Sequence, residues 1–114
     1  MSKQKEAPKL SITKSGKLVS WRHPGGKLLR LGSKSLTDSE LIAIILGSGI
    51  PGKPAQKIAD ELLSRFQSFR GLSNQPLKEF EKIKGLKKVK VVRIAAVFEI
   101  ARRIVSQVLK EKDD

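Results

Sequence analysis

A glycine set among lysines, between two apolar helical patterns, is the feature of this sequence best suited to binding an anion. The run reads Ile-Lys-Gly-Leu-Lys-Lys-Val-Lys over residues 83–90. A turn there would leave unpaired backbone N–H groups at the start of the next helix, where the helix dipole also favours negative charge. Basic side chains nearby would add affinity for a polyanion through counterion release. The pattern predicts a phosphate-binding site formed by Lys84, Gly85, Lys87, Lys88, Lys90 and Arg93.

Two helices are predicted to hold this turn in place. Upstream, Leu77, Phe80 and Ile83 recur at helical spacing, and Pro76 suits the first turn of a helix. Downstream, an apolar stripe with a period of about 3.6 residues indicates a longer helix. Its members are Val91, Ile94, Phe98, Ala101, Val105 and Val108.

An earlier segment repeats the same order of helix, glycine loop and helix. Thr37 and Glu40 form a capping-box pattern that predicts a helix over residues 41–46, and Pro54 suits the start of the next one. The glycines Gly47 and Gly85 are 38 positions apart, which indicates a weak internal repeat. The predicted fold is therefore all-α, a compact five-helix bundle built from two helix-hairpin-helix units. We expect a flexible basic segment at 1–22, the helical domain at 23–106 and a frayed tail at 107–114.

The first glycine loop carries two motifs that resemble nucleotide-binding signatures. Residues 47–53 fit G-x-x-x-x-G-K, and the three glycines within them fit G-x-G-x-x-G. A P-loop needs Ser or Thr after its lysine, where this chain has Pro54, and both motifs need a preceding strand in a parallel sheet. Nucleotide hydrolysis is therefore not expected. A second phosphate site and a simple tight turn both remain open for Gly47, Ser48, Gly49 and Lys53.

Composition favours an anionic partner. The 114 residues carry 24 Lys and Arg against 11 Asp and Glu, a formal net charge of +13. Such a balance is typical of nucleic-acid-binding domains, although part of the charge can simply solvate helix surfaces. No apolar run approaches the roughly 20 residues that span a bilayer, so no membrane role is expected. The absence of cysteine is compatible with the cytoplasm.

The residue types and their spacing do not indicate a catalytic site or a metal site. His23 is the only histidine and there is no cysteine, so no metal site is expected. Ser48 lies between glycines without a nucleophile-elbow pattern or a base at a predictable distance. Glu99 is expected to pair with Arg102 or Arg103 one turn further along the helix. We therefore expect no enzyme activity, no cofactor and no small-molecule substrate.

Four stretches resemble the N-terminal domain of the bacterial RadC family. They are residues 27–32, residues 36–49, which read Leu-Thr-Asp-Ser-Glu-Leu-Ile-Ala-Ile-Ile-Leu-Gly-Ser-Gly, and residues 77–85 and 95–103. The resemblance covers roughly residues 24–103. It implies a doubled helix-hairpin-helix domain, a link to DNA repair and, in full-length members, a C-terminal metalloprotease-like JAMM domain. That domain needs paired histidines, so we expect this chain to be a fragment or a truncated member.

The turn departs from the family pattern at two positions. Family members usually read Gly-Ile-Gly-Pro-Ala-Lys, whereas Lys87 replaces the second glycine here and Lys88 the proline. If the second glycine position needs a positive φ, lysine would cost on the order of 1 kcal/mol or more there. The added charges would raise nonspecific attraction for phosphates.

The expected function is non-sequence-specific DNA binding through backbone contacts to duplex or branched DNA. No helix carries Asn, Gln or Arg arrayed to read base edges. The alternative is a protein-interaction module that docks a partner such as the JAMM domain, with its lysines serving solubility.

Overall fold

Residues 10–12, 18–20 and 24–113 are described by the computed structural model, and helices dominate them. Two short antiparallel strands come first, with Ser11 opposite Val19. The helices follow in an order close to that predicted. The elements are β1 (Leu10–Ile12), β2 (Leu18–Ser20), α1 (Pro24–Leu31), α2 (Asp38–Leu46), α3 (Ala55–Phe66), α4 (Phe69–Ser73), α5 (Leu77–Phe80) and α6 (Lys88–Asp113), with a 3-10 turn at Ser33–Ser35.

The predicted capping box starts α2. The Thr37 hydroxyl accepts from the N–H of Glu40 at 3.1 Å, and the Glu40 carboxylate accepts from the N–H of Thr37 at 2.9 Å. The Thr37 N–H holds the pKa of Glu40 below its usual value, and Lys27, whose Nζ lies 3.0 Å from Oε1, lowers this pKa further. These contacts fix the start of the helix that lies at the centre of the bundle.

The core forms where α2 packs on α3 and on the first half of α6. Phe66 and Phe80 meet edge to face, with ring centroids 5.6 Å apart, which ties α3 to α5. The remaining core residues come from every helix after α1 and from the turn before α6. The buried set is Ile42, Ala43, Leu46, Ile58, Ala59, Leu62, Leu72, Phe80, Ile83, Leu86, Val91 and Ile94.

The bundle differs from the prediction in its helix count. The described residues contain six α-helices rather than five, because the chain between α3 and α6 forms two short helices. The Ser68 hydroxyl accepts from the N–H of Gly71 and starts α4, while α5 ends at Phe80, so Ile83 lies in the following turn. The all-α interpretation holds for the core.

Regular secondary structure reaches into both end segments of the chain. The helix α6 continues to Asp113, through most of the segment expected to fray, because its last residues are mainly good helix formers with no Gly or Pro. The paired strands β1 and β2 lie within the segment that was expected to be flexible. The rest of the expected flexible segment, with His23, lies outside the described residues.

The second half of α6 is stabilised by an ion-pair cluster rather than by tertiary contacts. Residues 100–113 are all exposed. Glu99 accepts from Arg102 and from Arg103, with closest distances of 2.8 Å to each. These two guanidinium groups, Arg102 first, hold the pKa of Glu99 at about 2. The pairing expected with one arginine is made with both.

Gly85 should be difficult to replace, both for its backbone conformation and for its packing. Its φ is +96°, and a Cβ there would lie 2.7 Å from Cδ1 of Ile58, which is fully buried. Gly85→Ala should therefore lower the free energy of unfolding by about 2–4 kcal/mol, combining backbone strain with overpacking. Gly52→Ala is the matched control, because Gly52 also has a positive φ, +80°, but a Cβ there would have no atom within 4 Å. Equal losses in urea denaturation would contradict the packing argument.

Acid should weaken the second half of α6. The pKa of Glu99 is lower in the folded chain than in the unfolded one, so its ion pairs contribute fully above pH 4.5 and are lost as the pH falls through about 2. Carbon chemical shifts of the Glu99 carboxyl group should give a midpoint near 2. Helical shifts of residues 100–113 should weaken over the same range, and Glu99→Gln should remove that dependence. A midpoint near 4.5 would show that the arginines do not hold the carboxylate.

Candidate nucleic-acid interface

The turn between α5 and α6, which we call turn B (residues 81–87), leaves backbone donors free at the start of α6. Within the described residues the N–H groups of Lys87, Lys88 and Val89 donate to no acceptor, whereas that of Leu86 is bonded to the carbonyl of Ile83 at 3.0 Å. All three residues are exposed. A free first turn at the head of a 26-residue helix has the geometry and the dipole to accept an anion.

Three lysines, in turn B and at the first residue of α6, lie at the same end of the molecule as these donors. Lys84, Lys87 and Lys88 are exposed, and none of them belongs to an ion pair in the described part of the chain. Lys87 does not adopt a positive φ, because Gln67 is the one non-glycine residue there among those described. The expected strain at Lys87 is therefore absent, and the glycine conformation of turn B is needed at Gly85 alone.

The loop between α2 and α3, loop A (residues 47–54), contains a compact turn. Ile50 and Lys53 exchange two backbone hydrogen bonds of 3.0 and 2.9 Å across Pro51 and Gly52. The φ of +80° at Gly52 and proline before it are typical of a type II turn. A Cβ on Gly49 would overlap the carbonyl oxygen of Lys53, so this glycine serves a close approach of the chain to itself.

Loop A also presents a helix start. The N–H groups of Ala55 and Gln56, the first residues of α3, donate to no acceptor within residues 24–113. Both residues are half-buried. The free donors near loop A are therefore on α3 rather than on Gly47 and Ser48, whose N–H groups bond to the carbonyls of Ala43 and Leu46.

Lys53 joins the two loops. Its Nζ lies 2.6 Å from Oε1 of Glu61 and donates to the carbonyl of Lys84 at 3.0 Å, and the side chain is only 20% exposed. A lysine predicted to contact phosphate thus forms an internal bridge from loop A to α3 and turn B.

Two further cations hold the end of α2. The ammonium of Lys90 donates to the carbonyl oxygens of Leu46 and Ser48 and to the Ser48 hydroxyl, and Nη1 of Arg93 donates to the carbonyl of Leu46 at 3.1 Å. Carbonyls at a helix C-terminus lack intrahelical partners and carry the negative end of the dipole. The first turns of α6 therefore cap α2.

The predicted site residues thus divide into two groups that lie at one end of the molecule. The first group is exposed and available: Lys84, Lys87 and Lys88. The second group builds the scaffold: Gly47, Ser48, Gly49, Lys53, Gly85, Lys90 and Arg93. Whether either group binds nucleic acid stays a prediction.

Sequence reasoning missed two features of this end. One is the pair of free amides at Ala55 and Gln56, which Pro54 before a helical pattern could have indicated. The other is the type II turn, for which Pro-Gly at 51–52 is a direct signal.

The described residues contain no group of three or more His, Cys, Asp or Glu that could hold a metal ion. No helix among them is long and apolar enough to cross a membrane.

Comparison with known sequences shows which protein family this chain belongs to. A family profile described as UPF0758 N-terminal matches residues 18–92. The chain belongs to the UPF0758 family. This confirms the resemblance to RadC-family proteins.

Relatives in the family are considerably longer than this chain. A UPF0758 protein of Marinobacter nauticus is 36% identical over 97 residues, which is 82% of this chain and 43% of the relative. One from Aliivibrio fischeri is 43% identical over 90 residues, 79% of this chain and 40% of the relative. The chain therefore spans about 40% of the length of these relatives. No solved structure matches it.

Lys90 should contribute to stability, and Lys88 should not. Lys90→Met removes the ammonium from the carbonyls of Leu46 and Ser48, so the free energy of unfolding should fall by about 1–3 kcal/mol. Lys88→Met, two positions away, removes an exposed charge at the positive end of the helix dipole and should leave stability unchanged or slightly higher. Urea denaturation of the two variants gives the comparison. Equal stability would mean that the cap of α2 contributes nothing measurable.

Proposed function

We propose that this domain binds DNA without strong sequence preference, by holding sugar-phosphate backbone at the start of α6. The proposal identifies the α2–α3 and α5–α6 pairs as two helix-hairpin-helix units. It connects the family to DNA transactions such as repair.

The observation that carries the proposal is the free first turn of α6. Three consecutive N–H groups, at residues 87–89, have no acceptor within the described chain, and the exposed Lys84, Lys87 and Lys88 belong to the same turn and helix start. Phosphate oxygens satisfy such donors, and the lysines add attraction that depends on salt. The free amides of α3 at Ala55 and Gln56 give a second position for the same chemistry, next to loop A.

The side chains around this end favour backbone contact over base reading. Arg93 donates to the carbonyl of Leu46 and Lys53 to the carboxylate of Glu61, so two of the longer basic side chains already have protein partners. Short, backbone-based contacts position a duplex but carry no direct sequence information. We therefore assign duplex or branched DNA as the partner class and no base-specific site.

A second candidate function, docking of a partner protein, is supported by a separate observation. The second half of α6 exposes large apolar side chains, including Ile100, Ile104 and Val105 at 56–59%. An exposed apolar face of this kind marks interaction surfaces in soluble proteins. A JAMM-type domain of a longer family member is the partner class that the family resemblance implies.

Binding should be weak and salt-dependent. Fluorescence anisotropy with labelled duplex and branched DNA should give a dissociation constant of about 1–100 µM at physiological salt, with a slope near −0.9 per phosphate contacted in a log–log plot. The double variant Lys84→Glu/Lys88→Glu should weaken binding at least about tenfold without changing the melting temperature, since both side chains are exposed.

A matched control distinguishes DNA binding at a local site from attraction to the net charge of the whole molecule. Lys34→Glu/Lys110→Glu makes the same change in net charge at exposed positions away from turn B. This control should retain most of the affinity of the unmodified chain. Equal loss in both double variants would contradict a site at α6, and no salt-sensitive binding tighter than about 0.1 mM would rule out the proposed function.

A further inference from the structure

The second half of α6 carries an apolar surface for which the bundle provides no cover. Val97, near the end of the part of α6 that packs on the bundle, is 36% exposed. Every residue from 100 to 113 is exposed. We call the surface the distal stripe; its members are Val97, Ile100, Ala101, Ile104, Val105 and Val108. It adjoins the side of α6 that buries Val91 and Ile94 and continues beyond the end of the core.

The spacing of the distal stripe is symmetric about the midpoint between residues 102 and 103. Val97 and Val108 are equidistant from that point, as are Ile100 and Val105, and as are Ala101 and Ile104. A two-fold interface requires this property, since the same surface must be complementary to itself when one helix runs antiparallel to the other. The apolar pattern of these six positions reads the same in both directions.

The charge distribution permits two such helices to meet. Residues 97–113 contain four basic and three acidic side chains, a net charge of +1, whereas the whole chain carries +13. Glu99 and Arg103 are on the opposite side of the helix, and the ion pairs of Glu99 with Arg102 and Arg103 hold both guanidinium groups away from the stripe. The distal stripe is thus a nearly neutral part of a strongly basic molecule.

We propose that the distal stripe is a self-association surface, on which a second copy of this chain packs its own α6 in antiparallel orientation. Six apolar residues per copy along about 17 Å of helix make an interface below about 1,200 Å², the size class of weak or transient complexes. The pairing is therefore concentration-dependent. It places the two α6 N-termini about 44 Å apart along the paired helices, so one dimer presents two phosphate-binding ends.

Sedimentation velocity without DNA tests the association, so the result is independent of the proposed DNA binding. Over about a hundredfold range of concentration, the mean mass should rise from one chain toward two. Ile104→Glu should keep the chain monomeric while leaving its melting temperature unchanged, because Ile104 is 56% exposed. Ser106→Glu, which adds the same charge on the opposite side of α6, should dimerise normally.

Disulfide cross-linking tests the relative orientation of the two α6 helices. The sequence has no cysteine, so any cross-link must come from an introduced one. Val97→Cys and Val108→Cys proteins, mixed and treated with diamide, should form the mixed disulfide, because residues 97 and 108 face each other in the antiparallel pair. Each variant alone should cross-link at least about tenfold less, since a disulfide needs Cα atoms within about 7 Å and the offset is about 17 Å along the axis.

Two results would overturn the proposal. If the chain remains monomeric at the highest concentration, the distal stripe is left for another occupant, such as the rest of a longer family member. If each cysteine variant cross-links to itself as well as to the other, the pairing is not antiparallel.

Discussion

The capping of α2 by cations from α6 is the interaction on which the arrangement of the functional end depends. Lys90 and Arg93 satisfy the carbonyl oxygens that end α2, and they come from the first two turns of the helix that begins after turn B. The contact joins the negative end of one helix dipole to positive side chains on another helix. The N–H groups that begin α6 have no intrahelical partner, as in the first turn of any helix, and no other group of the described residues accepts from them.

Two further contacts make this junction rigid. Lys53 connects loop A to the carbonyl of Lys84, and the absence of a side chain on Gly85 lets turn B lie against Ile58. Loop A and turn B therefore occupy one end of the bundle with a fixed relation to each other. A scaffold of this kind is what backbone-based phosphate recognition needs, since the donors cannot adjust as long side chains do.

Local signals in the sequence predicted most of the helices. The capping box at Thr37, the glycine stop at Gly47 and the apolar periodicity of α3 act within one or two turns, so single-sequence reasoning can identify them. The roles of Lys90 and Arg93 could not be read this way, because their acceptors are 42 to 47 residues away. The same holds for Lys53 and Lys84, 31 residues apart. Lysines near a glycine turn look alike in sequence whether they face solvent or a carbonyl.

The apolar periodicity of α6 illustrates a different limit. It predicted one continuous helix, which is correct, but period alone does not tell which part of a stripe the core covers. The core covers Val91 and Ile94, whereas Val105 and Val108 remain exposed. The helix thus connects a basic end with free amides to an apolar end with a net charge near neutrality, and the two candidate activities of the domain lie at its opposite ends.

Amide chemical-shift mapping during titration with a short duplex tests the central claim most directly. The account predicts that the largest changes occur at the N–H groups of Lys87, Lys88 and Val89, with smaller ones at Ala55 and Gln56, and that they fade as salt is raised. Changes spread evenly over all exposed lysines, or confined to residues 97–113, would contradict phosphate binding at the start of α6.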